Sequence, residues 1–285
     1  MRTKSRGSIN KTKMILLLLM LPTVYARIAI DIFATDANHN VRLSGGDINL
    51  ITVTEQTTFN LTQDKLTELI SNYFGATPDS VHLRDPTPWG DLYPTMNWKP
   101  IKRIVKPKSA TITTKSEPVL VLAKELNTTT TELKQYITNT LTTKWSSSSR
   151  NLDVQDIIYH IDSKTPDPYL SLTGRWGESL ERYFPMTVSS QIVKFPKQVH
   201  AELVVTKEEV VVQVDYKASL TGHVVANFNK LYRGHKFWSV DVNTLFESKL
   251  NVTEVIEFVQ YIDGKVLLRD AVTREVLYTA PLKAW

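Results

Sequence analysis

The fold class the sequence predicts is mainly β, with an α+β N-terminal part followed by an elongated antiparallel β domain. Three observations predict it. Apolar and polar residues alternate over 12 positions from Val210 to Thr221, well beyond the five or six residues of an ordinary strand. Shorter β runs separated by turn signals follow toward the C-terminus. The one strong helix signature is confined to the first half.

The N-terminus reads as a secretory signal. Arg2, Lys4, Arg6, Lys11 and Lys13 precede the apolar run Met14–Leu21, and Val24-Tyr25-Ala26 supplies small or neutral residues for cleavage after Ala26. The apolar stretch is about half of the roughly 20 residues a spanning helix needs. The expected organisation is a signal peptide at 1–26, an α+β domain at 27–150 and an elongated antiparallel β domain at 151–285, in a secreted, extracellular protein. Removing the signal's five bases from the 34 Lys and Arg leaves 29 against 29 acids, so the net charge of +5 gives no argument for a nucleic-acid partner. The chain has no Cys, which excludes thiol catalysis and Cys-ligated metals and leaves stability to packing.

Along the chain, Ile28, Ile30 and Ile32 alternate as a strand with one buried face, and Asn49–Val53 reads as a second. Leu66, Leu69, Ile70, Tyr73 and Phe74 form a single apolar stripe with Gly75 at the C-cap, the pattern of an amphipathic helix. Leu133, Ile137 and Leu141 repeat a thinner helical version. Between them, residues 85–100 hold four Pro and the aromatics Trp89, Tyr93 and Trp98. This segment reads as an extended loop pinned by its rings, and the same rings are the candidate contacts for a sugar or lipid target. Residues 127–149 contain 12 Ser or Thr among 23 and read as a seam. Beyond the long strand, Asp263-Gly264 reads as a hairpin turn between Val255–Ile262 and Lys265–Arg269, and Asp270–Glu275 as a second turn before Val276–Thr279.

No metal-binding His pair, phosphate-cradling Gly run or nucleophile elbow is present, so no enzyme, cofactor or metal is expected. Asp36-Ala37-Asn38-His39-Asn40 with Asp47 imitates the spacing of a calcium loop, but Val41 stands where that loop demands Gly, and an Asx-rich turn is the reading. The sequons at Asn60, Asn127 and Asn251 are candidate glycosylation sites. The dibasic pair Lys102-Arg103 leaves proteolytic activation open.

The run Val193-Lys194-Phe195-Pro196-Lys197-Gln198-Val199 continuing through Val210–Tyr216, Ala218 and Gly222 resembles aerolysin-type β-pore-forming proteins. With Gly234-His235-Lys236-Phe237-Trp238 it is similar to their spherulin-type branch, which includes insect follicular-epithelium yolk proteins. The resemblance spans roughly residues 155–285. It implies a secreted non-enzymatic protein that associates with itself as a homo-oligomer and acts on a membrane or an extracellular matrix. A non-lytic storage or structural role, of yolk or eggshell type, is the open alternative. A pore former needs an amphipathic hairpin. The candidate is Tyr169–Val193, with apolar positions Leu170, Leu172, Trp176, Leu180, Phe184 and Val188, interrupted by Pro185 and the charges of Arg175, Glu178, Glu181 and Arg182.

Overall fold

A computed structural model describes residues 27–35, 38–126, 131–145, 152–163, 169–176, 180–192, 198–281 and 283–284. The predicted signal segment 1–26 and the sequon residue Asn127 lie outside them. The first third holds β1 (Ala29–Thr35), β2 (Asn38–Ser44), β3 (Asp47–Leu50), helices α1 (Val53–Thr58) and α2 (Gln63–Phe74), β4 (Ser80–His82) and the short α3 (Leu92–Thr95). The middle holds β5 (Lys102–Leu126), β6 (Thr131–Trp145), β7 (Ile157–Ser163), β8 (Tyr169–Gly174) and β9 (Leu180–Ile192). The last third holds β10 (Val199–Thr221), β11 (His223–Tyr232), β12 (His235–Asp241), α4 (Val242–Leu245), β13 (Leu250–Asp270), β14 (Val276–Pro281) and β15 (Lys283–Ala284).

Three sheets result. A four-stranded sheet runs β2-β1-β7-β8, with β1 and β7 parallel. A long antiparallel sheet runs β15-β9-β6-β13-β10-β5-β3, with β14 added to β13. A three-stranded sheet runs β12-β11-β4. The isoleucine alternation of residues 28–32 becomes β1, whose even-numbered residues are buried. Asn38-His39-Asn40 of the calcium-like string open β2, and Asp36 and Ala37 lie outside the described residues. The apolar stripe of residues 66–74 becomes α2, capped by the Thr62 hydroxyl and ended by Gly75 at φ 70°.

The alternation read over residues 210–221 is the upper half of β10. The strand continues down to Val199, 23 residues in all and about 75 Å long at roughly 3.3 Å per residue. It pairs with β5 on one side and β13 on the other. Above Glu208 its even residues, Val210, Val212, Val214, Tyr216, Ala218 and Leu220, are buried; below, its odd residues, Val199, Ala201, Leu203 and Val205, are buried. Pairing with β5 is regular between Val205 and Asp215, so these two sets lie on opposite faces. Ile112 of β5 accordingly packs on the upper core and Val119 on the lower. The upper face carries the four-stranded sheet. The lower face is covered by Leu133, Ile137 and Val188 of β6 and β9.

Two readings are corrected. Asp263-Gly264 is not a hairpin turn but a bulge inside the single strand β13, since the residues on both sides pair with the same neighbour, β10. Asp263 adopts φ 50°, a left-handed conformation that suits a bulge as well as a turn. Leu133, Ile137 and Leu141 lie on strand β6, because a spacing of four fits period two as readily as a helical stripe, and the intervening Thr residues favour strand. The second turn is as read: β13 and β14 are antiparallel across residues 271–275. Strands from both sides of residue 150 are neighbours in the long sheet.

Candidate functional site

The segment Tyr169–Val193 divides between two sheets. Its first part is β8, which pairs with β7, and its second part is β9, which pairs with β6. Leu172 is half-buried, and Trp176 and Val188 are buried in different cores. The side chains of Leu170, Leu180 and Phe184 lie outside the description. The hairpin within the upper layer is instead β7–β8, whose register pairs Ile157 with Gly174, Tyr159 with Leu172 and Ile161 with Leu170. Along β7, Ile157, Tyr159 and Ile161 point inward and are buried, while Ile158, His160 and Asp162 point the other way and are half-buried. On β8, Leu172 shares the inward face, and Ser171 and Thr173 are exposed. Gly174 makes room for the Tyr159 ring, since a Cβ there would stand 2.9 Å from its Cε2.

The inward face of the hairpin is held by one polar contact. The Tyr159 hydroxyl donates to Glu254 Oε1 at 2.5 Å, and the Tyr216 hydroxyl donates to Glu254 Oε2 at 2.5 Å. All three are buried. Glu254 sits on β13 in phase with Val252, Ile256 and Phe258, an acid in a row of core positions. Burial, the largest influence, pushes its carboxyl above the usual range, and hydrogen bonds from Tyr159, Tyr216 and Trp176 partly offset it. Burial and the same carboxylate raise the Tyr216 phenol far above its ordinary value. The Trp176 ring stands edge-on to Tyr216 at 4.7 Å. A second polar tether ties β1 to the scaffold: the Gln260 amide donates to the Ala34 carbonyl at 3.2 Å and also to the buried Glu208.

The flanks of the hairpin are clamped as well. Arg103, 1% exposed, pairs through Nε with Glu55 and through Nη1 with Asp47, each at 2.6 Å, and its Nη2 donates to the Asp153 carbonyl at 2.8 Å. Glu55 also accepts the Asp153 N–H and closes a capping box with Thr52 at the start of α1. Asp153 in turn pairs with Arg175, just beyond β8, at 2.7 Å. Trp176 N–H donates to the Val154 carbonyl. Arg103 is thus sequestered inside β5, and Lys102-Arg103 is no exposed dibasic loop. Sequence reasoning reaches Arg103 only as half of a dibasic pair and misses Glu254; the readable signal for the latter is an acid in phase with the apolar residues of β13.

The aromatic segment 85–98 is pinned by Tyr93, which is 1% exposed and donates its hydroxyl to the carbonyls of His82 and His223. Asp85 accepts the N–H groups of Leu92 and Tyr93. Tyr93 is therefore withdrawn from any target, Trp98 is half-buried, and Trp89 is 38% exposed. Trp89 packs edge-on against His82 and Phe237, with Lys236 Nζ 4.9 Å from its ring centre. The sequon residues Asn60 and Asn251 are both exposed. Among the described residues no group of three or more His, Asp or Glu is arranged to hold a metal ion.

No protein-family model matches the chain. It is 25% identical over 251 residues to U-megalopygitoxin(8)-Mc8 of Megalopyge crispata, covering 82% of this chain and 88% of that protein. It is 24% identical over 248 residues to U-megalopygitoxin(8)-Mo12 of Megalopyge opercularis, covering 81% and 86%. Among solved structures it is similar to the parasporin-2 toxin of Bacillus thuringiensis, described as recognising cancer cells, with a TM-score of 0.66 at 14% identity over 84% of this chain and 100% of that one. The spherulin-type branch is not carried by these relatives. The likeness that stands is the coarser one, an antiparallel β fold of the aerolysin-like toxin type.

Proposed function

We propose that this chain is a secreted, non-enzymatic toxin-like protein that associates with copies of itself on a membrane and inserts the β7–β8 hairpin into a shared β-barrel. The observation that carries this reading is the two-faced hairpin, packed by one face on the long sheet and joined to β1 by a parallel ladder of six residue pairs. Its buried row Ile157, Tyr159, Ile161 and Leu172 suits lipid, and His160, Asp162, Ser171 and Thr173 suit a water-filled lumen. The fold likeness to parasporin-2 and the relatedness to megalopygitoxins support it.

Insertion demands more chain than the two strands contain. β7 has 7 residues and β8 has 6, whereas a tilted transmembrane strand needs about 9–11. The flanks 152–156 and 175–176 must therefore be drawn in, and they are the segments tied down by Arg103, Glu55 and Arg175. Release of the clamp and release of the Tyr159–Glu254 contact are two parts of one transition.

A lock tests the reading. The chain has no Cys of its own, and Asp31 of β1 lies against His160 of β7, with 2.8 Å between Oδ1 and Nδ1. In the double variant Asp31→Cys, His160→Cys, leakage of dye-loaded vesicles should be blocked when the pair is oxidised and restored by reductant. Leakage that ignores the lock would remove the hairpin from the mechanism. Oligomers without leakage from the unmodified protein would return the chain to a structural or storage role.

A further inference from the structure

The tip of the β11–β12 hairpin has features that neither the scaffold nor the moving hairpin requires. Its ladder is regular up to Asn227 opposite Phe237 and resumes only at Tyr232 opposite His235. Four residues, Phe228 to Leu231, therefore stand against the single residue Lys236, and the excess is pushed out as a bulge. Bulges of this kind re-aim side chains. The turn itself is Arg233-Gly234, with φ 47° and 82°. Gly is at ease there, but Arg in a left-handed conformation at an exposed turn is a strained choice where Asn or Gly would fold more readily.

The bulge is held firmly at both ends. Asp79 accepts the Asn229 N–H at 2.6 Å. The Tyr232 hydroxyl donates to the Phe74 carbonyl at 2.6 Å, and Trp238 Nε1 donates to the Tyr232 carbonyl at 3.0 Å. Phe228 stacks on Tyr232 with 5.2 Å between ring centres. Between these anchors Leu231 is 62% exposed. It is flanked by the exposed Lys230 and Arg233, with Lys236 nearby over the rings of Trp89 and Phe237. From Asn229 to Val240 the chain has no acid. Among the described residues none of Lys230, Arg233 and Lys236 has an acidic partner.

We infer that this tip is a docking knuckle for a bilayer surface containing anionic phospholipid, with Lys230, Arg233 and Lys236 on the headgroups and Leu231 reaching toward the acyl boundary. An exposed Leu ringed by cations without acidic partners, beside the aromatic pair Trp89 and Phe237, matches the layered chemistry of a bilayer interface. A soluble polyanion such as a sulfated glycan would use the cations and gain nothing from Leu231. The inference supplies the first contact for the membrane action proposed above and takes its purpose from that reading. Binding is nevertheless separable from leakage, so each can fail without the other.

The test is co-flotation of the full secreted chain with phosphatidylcholine vesicles, with and without phosphatidylserine. Binding should require phosphatidylserine and fall with added salt. Leu231→Ser should weaken it on the order of 10-fold. Arg233→Gly should weaken it roughly 5-fold while leaving the melting temperature unchanged or higher, because Gly relieves the turn. Equal binding to both vesicle types would overturn the inference, as would no binding to either. Sensitivity to Arg233→Gly without sensitivity to Leu231→Ser would also overturn it and point to a soluble polyanion. A leakage failure with these binding results intact would refute the pore reading alone.

Discussion

Tyr159→Phe removes one atom from the interface between the hairpin and the scaffold. The lost hydroxyl donates to Glu254 Oε1 at 2.5 Å in a site where Tyr159 is 2% and Glu254 is 3% exposed, so water is poorly placed to replace it. Removing a donor and leaving a buried carboxyl oxygen short of its partner costs about 1–3 kcal/mol, and the ring keeps its packing. The undocking equilibrium of the hairpin should therefore shift by about 5-fold to 150-fold. Amide hydrogen exchange reads this directly. Protection across Ile157–Ser163 should fall by that factor, while amides of Val210–Val214 on β10 keep theirs. An equal loss in both regions, or no loss in either, would refute the argument that the hairpin leaves the scaffold as a unit held by this contact.

Acidity gives the same contact a sign. Burial raises the docked Glu254 carboxyl above its ordinary value of 4.5, so its contribution to docking is fully present below that value and is lost as the pH rises through the raised one. With the intrinsic pH dependence of amide exchange divided out, hairpin protection should be higher near pH 4.5 than at neutral pH, and the reverse order would exclude Glu254 as the controlling group. Arg103→Met leaves Glu55 buried without its partner, and chemical denaturation should show a loss of about 3–5 kcal/mol; a near-neutral change would show that the clamp is dispensable. Val212→Asp places a charge at a fully buried position of β10 and should cost several kcal/mol, on the order of burying an unpaired charge, with secretion falling in step. Trypsin should spare Lys102-Arg103 in the folded protein, and prompt cleavage there would contradict the sequestration of Arg103.

What the sequence disclosed and what it hid divide by range. The core rows of β1 and β10 and the stripe of α2 were readable because each is a local periodicity read against one packed face. Leu133, Ile137 and Leu141 misled because a spacing of four satisfies a strand as well as a helix. Asp263-Gly264 misled because left-handed backbone serves turns and bulges alike, and only the pairing partner tells them apart. The functional constellation was least legible. Glu55 meets Asp153 across 98 positions and Tyr159 meets Glu254 across 95, and no local pattern reports such encounters. Arg103 reads in the sequence as half of a dibasic pair, and its burial depends on acids supplied by β3 and α1.

The change of buried face halfway along β10 allows the molecule to come partly apart without unfolding. Above Glu208 the strand is covered by the layer that carries the hairpin; below it, the same backbone is covered from the other side by β6 and β9. Lifting the upper layer therefore bares Val210, Val212 and Val214 while Val199, Ala201 and Leu203 remain enclosed. The ladder to β5 and β13 is held in register by its lower end while the upper side chains exchange one apolar neighbour for another. In the proposed transition the long strand would serve as a hinge pin fixed in one housing and open in the other, with the freed half as the seat for a second copy.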